Sequence, residues 1–334
     1  MTQSSDAIVP LGAMRFNSDS QKLEYWMGSA WMQIKTFSPN LDGGGRGITA
    51  GGNTPQQSNV IEFITIATQG DATDFGDLTY ARQSNPGATG NSTRGLIGGG
   101  QVWPALSNIV DFITFSSTGN ASDFGDLTVA RRNLNGNGNE TRGVFVGGQT
   151  PSLQDVIDFV TISQTGNAVD FGNLTVARKQ LGGTASSPTR GLFMGGATPS
   201  DSDVIDFITI PTTGDAQDFG DLTVARIEPR GVSSSTRACM MSGYAAPANT
   251  NVIDFVTIAT KGNASDFGDL TETTNVAQSA SDSIRGVRMG GITPLDTSMD
   301  YINIATQGDA TFFGDLLSTH KEGAGCSNAH GGLG

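Results

Sequence analysis

One octapeptide constrains this chain more than any other feature. NASDFGDL stands at residues 120–127 and again at 263–270, and DATDFGDL, NAVDFGNL, DAQDFGDL and DATFFGDL are close variants. The central phenylalanines, Phe75, Phe124, Phe171, Phe219, Phe267 and Phe313, lie 49, 47, 48, 48 and 46 residues apart. A near-constant period of this length marks a propeller or a solenoid, built from one supersecondary unit per repeat. The D-F-G tripeptide also occurs in protein kinases, where its aspartate binds magnesium. That chemistry needs an H-R-D catalytic loop, and the only histidines here, His320 and His330, stand in no such motif. A motif present six times is a building block.

Three further landmarks recur in the same order. The first is R-G-x-x-x-G-G, at Arg46, Arg94, Arg142, Arg190 and Arg285, with RACMMSG at Arg237 as a degenerate copy. The second is an apolar run such as VIDFITI, rich in β-branched residues and phenylalanine and bounded by turn formers, which predicts a strand. Both of its alternating sets are largely apolar, so the strand is covered on two sides, as in a blade between two neighbours. The third is LTVAR or a relative, ending at Arg82, Arg131, Arg178 and Arg226, with Thr274 and His320 in the last two copies. Gly-Asn or Gly-Asp precedes every D-F-G segment and supplies the positive φ of a tight hairpin. NASDFGDL therefore reads as a turn followed by an outer strand. With a short strand after LTVAR, each repeat predicts four strands.

The array begins at Arg46, on the second strand of a unit, and the tail GCSNAHGGLG aligns His330 with the repeat arginines. The last residues are thus expected to complete the first unit and leave few free edges. The expected fold class is all-β: a six-bladed propeller over residues 46–334, closed by the C-terminal strand, behind a small β module in residues 1–45. The Gly-Gly strand and the period resemble kelch-type propellers in architecture, without their tyrosine and tryptophan pattern.

A net charge of −13 with five lysines argues against a nucleic-acid partner. No apolar stretch approaches the roughly 20 residues of a membrane helix, and MTQSSDAIVP lacks the pattern of a secretory signal, so no membrane insertion is expected. Cys239 and Cys326 fall in different predicted strands and read as buried thiols. Sequons such as Asn91-Ser92-Thr93 follow from Asn-rich loops.

Residues 14–17, 23–26 and 30–34 read as a three-stranded meander carrying Phe16, Tyr25, Trp26 and Trp31. So small a sheet cannot bury those rings alone, and it is expected to dock on the repeats, on a copy of itself or on another protein. The pattern G-x-x-R-F-N-x(6)-E-x-W-x-G-S-A-W, from Gly12 to Trp31, resembles modules of bacteriophage tail-fibre and appendage proteins. The repeat TRGLFMGG, VIDFITI, GNASDFGDLTVAR, with its AGCSNAHGG ending, resembles repeat-bearing structural proteins of marine cyanobacterial phages. The resemblance implies localisation in the virion, other virion proteins as partners, and a homo-oligomer of a kind that is often trimeric.

The repeat arginines and the second aspartate of D-F-G-D (Asp77, Asp126, Asp221, Asp269, Asp315, with Asn173 in the third copy) are expected to bridge strands or blades. No D-x-D-x-D-G calcium loop is present, and two cysteines with two histidines are too scattered for zinc, so no metal or cofactor is expected. Spacing leaves a Ser-His-Asp site open, yet both histidines stand where other copies hold arginine. Binding is expected in the loops after the Gly-Gly strand, where Trp103 and Tyr244 are the aromatic exceptions able to stack on a sugar or anchor a protein contact. These features predict a non-enzymatic phage virion protein, a tail fibre or appendage whose propeller meets a host-surface glycan or protein. Capsid decoration is the second reading and a propeller enzyme the third.

Overall fold

The computed structural model describes residues 9–17, 22–33, 44–53, 55–292 and 295–333. It is all-β, and the chain divides into two compact units, Met1–Leu41 and Asp42–Gly334.

In the first unit, β1 (Met14–Asn17), β2 (Lys22–Trp26) and β3 (Trp31–Gln33) form one antiparallel sheet in that order. Ile34, expected in the third strand, lies outside the described residues. The register places Arg15 opposite Glu24 and Trp26 opposite Trp31. Arg15 pairs with the buried Glu24 at 2.9 Å and lies over the Trp31 ring, whose centroid is 5.4 Å from that of Trp26. On the alternate positions Met14 and Phe16 stay about two-thirds exposed, at 67% and 65%.

In the second unit the repeats become six antiparallel sheets, each running first, second, third and outer strand. In sheet 4, for example, these are Gly182–Ser186, Arg190–Met194, Val204–Thr209 and Gln217–Asp221. In sheet 1 the first strand is Ala324–Ser327, from the far end of the chain, paired with Arg46–Ala50. Asn328 then caps the Arg46 N–H at 2.7 Å, as Asn91 caps Arg94 within a continuous repeat. The sheets keep separate ladders, and their first strands neighbour one another in a closed cycle, sheet 6 meeting sheet 1 and sheet 1 meeting sheet 2.

NASDFGDL is the clip between sheets. The Gly119 N–H donates to the Phe75 carbonyl at 2.7 Å and the Ala121 N–H to that of Asp77 at 2.7 Å, while the Asn120 side chain accepts from the Asp77 N–H at 3.1 Å. The same trio recurs around the ring and closes it, from Gly70, Ala72 and Asp71 to Phe313 and Asp315. The glycine inside D-F-G is fixed by this approach: a Cβ on Gly125 would stand 2.5 Å from the Gly166 carbonyl oxygen.

Apolar clusters span neighbouring sheets, so each sheet is covered on both faces. Leu96, Val110 and Phe124 of sheet 2 pack with Phe145 and Val160 of sheet 3, and Ile64 and Ile66 of sheet 1 pack with Val287, Met299 and Phe313 of sheet 6. The Phe of D-F-G meets the third-strand ring edge-on, as Phe207 meets Phe219 with centroids 6.0 Å apart.

Candidate functional site

The two arginine series have different jobs. Each R-G arginine lies over the third-strand ring of its own sheet, as Arg142 does over Phe159 at 4.6 Å. It then donates to a carbonyl of the next sheet, Arg94 to Ile162 and Arg142 to Ile210. The LTVAR arginines instead reach a carboxylate in the middle of the third strand of the next sheet: Arg82 to Asp111, Arg131 to Asp158 and Arg178 to Asp206 at 2.7 Å, and Arg226 to Asp254 at 3.0 Å. Both side chains of every one of these pairs are fully buried. The D-F-G-D carboxylates expected to serve as partners form no ion pair among the described residues; the arginines are taken by the third-strand acids instead.

A register shift follows the residue before each of these third-strand acids, between Ile157 and Asp158 and between Ile205 and Asp206. Such a bulge re-aims a side chain. Thr175 completes the Asp206 shell, its hydroxyl donating at 2.6 Å. Apolar alternation does not mark these acids, because each sits inside an apolar run such as VIDFITI. The signal was present, since the two copies lacking the LTVAR arginine are compensated. Thr274 replaces it before Asp300, and Arg288 enters the second strand of sheet 6 to pair with Asp300 at 2.5 Å. His320 replaces it before Glu62, and those two meet at 2.9 Å. All six buried third-strand acids therefore have a nitrogen partner.

The axis inside the first strands is filled. GATG, NGNG, GGTAS, RGVS, QSAS and AGCS are small and hydroxyl-rich because neighbouring backbones lie close and their carbonyls need donors. Ser233 donates to the Ser186 carbonyl at 3.0 Å, and Ser281 to that of Ser233 at 3.2 Å. Two cavities of about 10 Å³ remain, each lined from all six first strands or their immediate flanks and each large enough for one water. One end is closed by the turn Gly331–Leu333 and by His330, whose Nε2 donates to the Gly90 carbonyl at 2.9 Å. The Gly332 N–H donates to His330 Nδ1 at 3.2 Å, so the imidazole is neutral, and burial pulls its pKa below the ordinary value. At the other end Arg230 crosses from sheet 5 to Asn85 at 2.7 Å. Glu228 joins them through Asn85, Gln180 and Asn275. Burial pulls Arg230 down to about 10 and pushes Glu228 upward, each opposing the other's shift by its charge.

The rim loops carry the expected binding residues. Trp103 stands at the tip of a hairpin between Gln101–Val102 and Ala105–Leu106, and is 71% exposed. Gln57 of the preceding loop fixes its backbone, accepting from the Trp103 N–H at 3.0 Å and donating to the Gln101 carbonyl at 2.8 Å. Tyr244 is half-buried in the corresponding loop of sheet 5, where its backbone exchanges hydrogen bonds with Ile227. The two aromatic residues belong to sheets three places apart in a ring of six, and the structure brings them into no common site among the described residues. Compared with known proteins, the chain matches no family model and no curated sequence.

Proposed function

We propose that the six sheets are the blades of a closed, kelch-like propeller and that the protein is a non-enzymatic scaffold of a phage virion. The closed cycle of first strands, the recurring clip and the C-terminal strand beside Arg46–Ala50 support the propeller reading. The observation that carries the scaffold reading is the filled axis. His330 and the Arg230–Asn85–Glu228 cluster occupy its two ends, where a propeller enzyme would hold substrate. The most exposed aromatic ring among the described residues, Trp103, lies instead on the rim, held on a hydrogen-bonded base that limits the ordering cost of a contact. Placement in the virion rests on the resemblance of the R-F-N to G-S-A-W segment and of the repeat to phage proteins. In this reading the N-terminal sheet attaches or oligomerises the chain, with other virion proteins as partners, and the rim meets a host-surface glycan or protein.

Immunogold labelling of intact particles of the source phage tests the placement. Gold on fibres or tail is the expected result; gold over the head makes capsid decoration the better account; unlabelled particles overturn the virion assignment. On host cells, Trp103→Ala is expected to abolish binding of the purified protein while leaving its unfolding unchanged.

A further inference from the structure

We propose that the seam between the last and the first sheet is a pH-sensitive latch, built from His320 and Glu62, where four of the other seams set an arginine of one sheet against an aspartate of the next and the fifth has Arg288 beside Asp300 within sheet 6. Both latch side chains are about 1% exposed. The hydrogen-bond geometry counts the protons. His320 Nδ1 lies 3.2 Å from the carbonyl oxygen of Gly51, which can only accept, so Nδ1 carries a proton. Nε2 lies 2.9 Å from Glu62 Oε1, a contact between two acceptors unless one of them is protonated. The pair therefore holds one proton beyond those of a neutral imidazole and a free carboxylate, whether it resides on Nε2 or on the carboxyl. The remaining donors at the carboxylate are neutral: the Leu317 N–H at 2.9 Å and the Ser318 hydroxyl at 3.3 Å. Ser318 also lies 3.0 Å from Nε2.

The arginines on the adjoining elements are committed elsewhere. Arg82, which packs against Gly51, is bound to Asp111. On the sheet 6 side the Gly291 N–H donates to the His320 carbonyl, and Arg288 is bound to Asp300 and Glu272. When the extra proton leaves, Glu62 becomes a buried carboxylate without a cation, beside the strand Arg46–Ala50 that pairs with the C-terminal strand Ala324–Ser327. Guanidinium keeps its proton throughout the physiological range and imidazole does not. The size exchange is matched too: a shorter base faces Glu62, where four of the other seams set arginine against the shorter aspartate.

The test is denaturant unfolding between pH 6 and pH 9, comparing the wild type with Glu62→Gln and with His320→Arg combined with Glu62→Asp. An unfolded imidazole releases its proton above about pH 6.5, so the wild-type folding constant should fall by up to about tenfold per pH unit beyond that value, relative to both variants. Glu62→Gln removes the dependence because a glutamine amide can donate to a neutral Nε2. Equal pH slopes in all three proteins overturn the proposal. Should the variants not fold, nitrogen-15 NMR of the wild type decides, the signal of His320 being assigned by its persistence in His330→Gln. A pair still protonated well above pH 6.5 supports the latch, and a His320 that titrates as a free imidazole overturns it.

Discussion

Cutting one buried latch should cost more than removing it whole, and sheet 4 offers the cleanest case. Asp206 accepts from Arg178 at 2.7 Å and from the Thr175 hydroxyl at 2.6 Å and the Thr175 N–H at 3.3 Å. Burial pulls the guanidinium below its ordinary pKa and the Asp206 charge opposes that. Asp206→Ala leaves the guanidinium with only the Val204 carbonyl at 2.9 Å and the Phe193 carbonyl at 3.4 Å, and strands two Thr175 donors. An unpaired buried charge costs about 3–5 kcal/mol and an unsatisfied donor about 1–3, and these overlap because they share one site. The expected loss is about 4 kcal/mol, read by urea unfolding at pH 7. Arg178→Met with Asp206→Leu removes both charges and should cost no more than about 2 kcal/mol, since apolar replacement of a buried pair is often neutral. Asp218→Asn, at an exposed position, is the control and should stay within about 0.5 kcal/mol. A loss below about 1 kcal/mol for Asp206→Ala, or a double variant as unstable as the single, would refute the reasoning.

The clip glycines can be separated in the same assay. Gly119→Ala meets no atom within 4 Å and pays only for its φ of +149°, about 1–3 kcal/mol, whereas Gly125→Ala at φ +146° also drives a Cβ into the Gly166 carbonyl and should cost at least about 2 kcal/mol more. Equal losses would show that the sheets yield at this contact. His330 is held neutral, with its folded pKa below the unfolded value. Its contribution is therefore complete above about pH 6.5 and is lost as pH falls. Relative to wild type, His330→Gln should flatten the stability decline between pH 6.5 and pH 5, and an unchanged slope would contradict a neutral His330. Burial pushes the thiols of Cys239 and Cys326 up to about 12, so neither should react with iodoacetamide at pH 8 until the chain is unfolded. Rapid labelling of the native protein would count against that burial.

The sequence by itself determined what is local or periodic. Turn glycines, apolar runs and a period near 48 residues set the four strands of each unit, and the odd start at Arg46 told that the two ends of the repeat array share a sheet. The meander in residues 14–33 was legible from its alternation. Trp103 was legible as an exposed ring because it interrupts a polar loop between repeats. The tertiary structure decided which charges meet. A strand pattern assigns a residue to a face, yet a partner is chosen where one sheet crosses the next. There Arg178 passes Asp170 of its own outer strand and finds Asp206, re-aimed by a bulge that alternation does not show. The filling of the axis was likewise hidden, because His330 and Arg230 act across the ring on residues 240 and 145 positions away in sequence. Such contacts exist only after the ring has brought the far ends of the chain together.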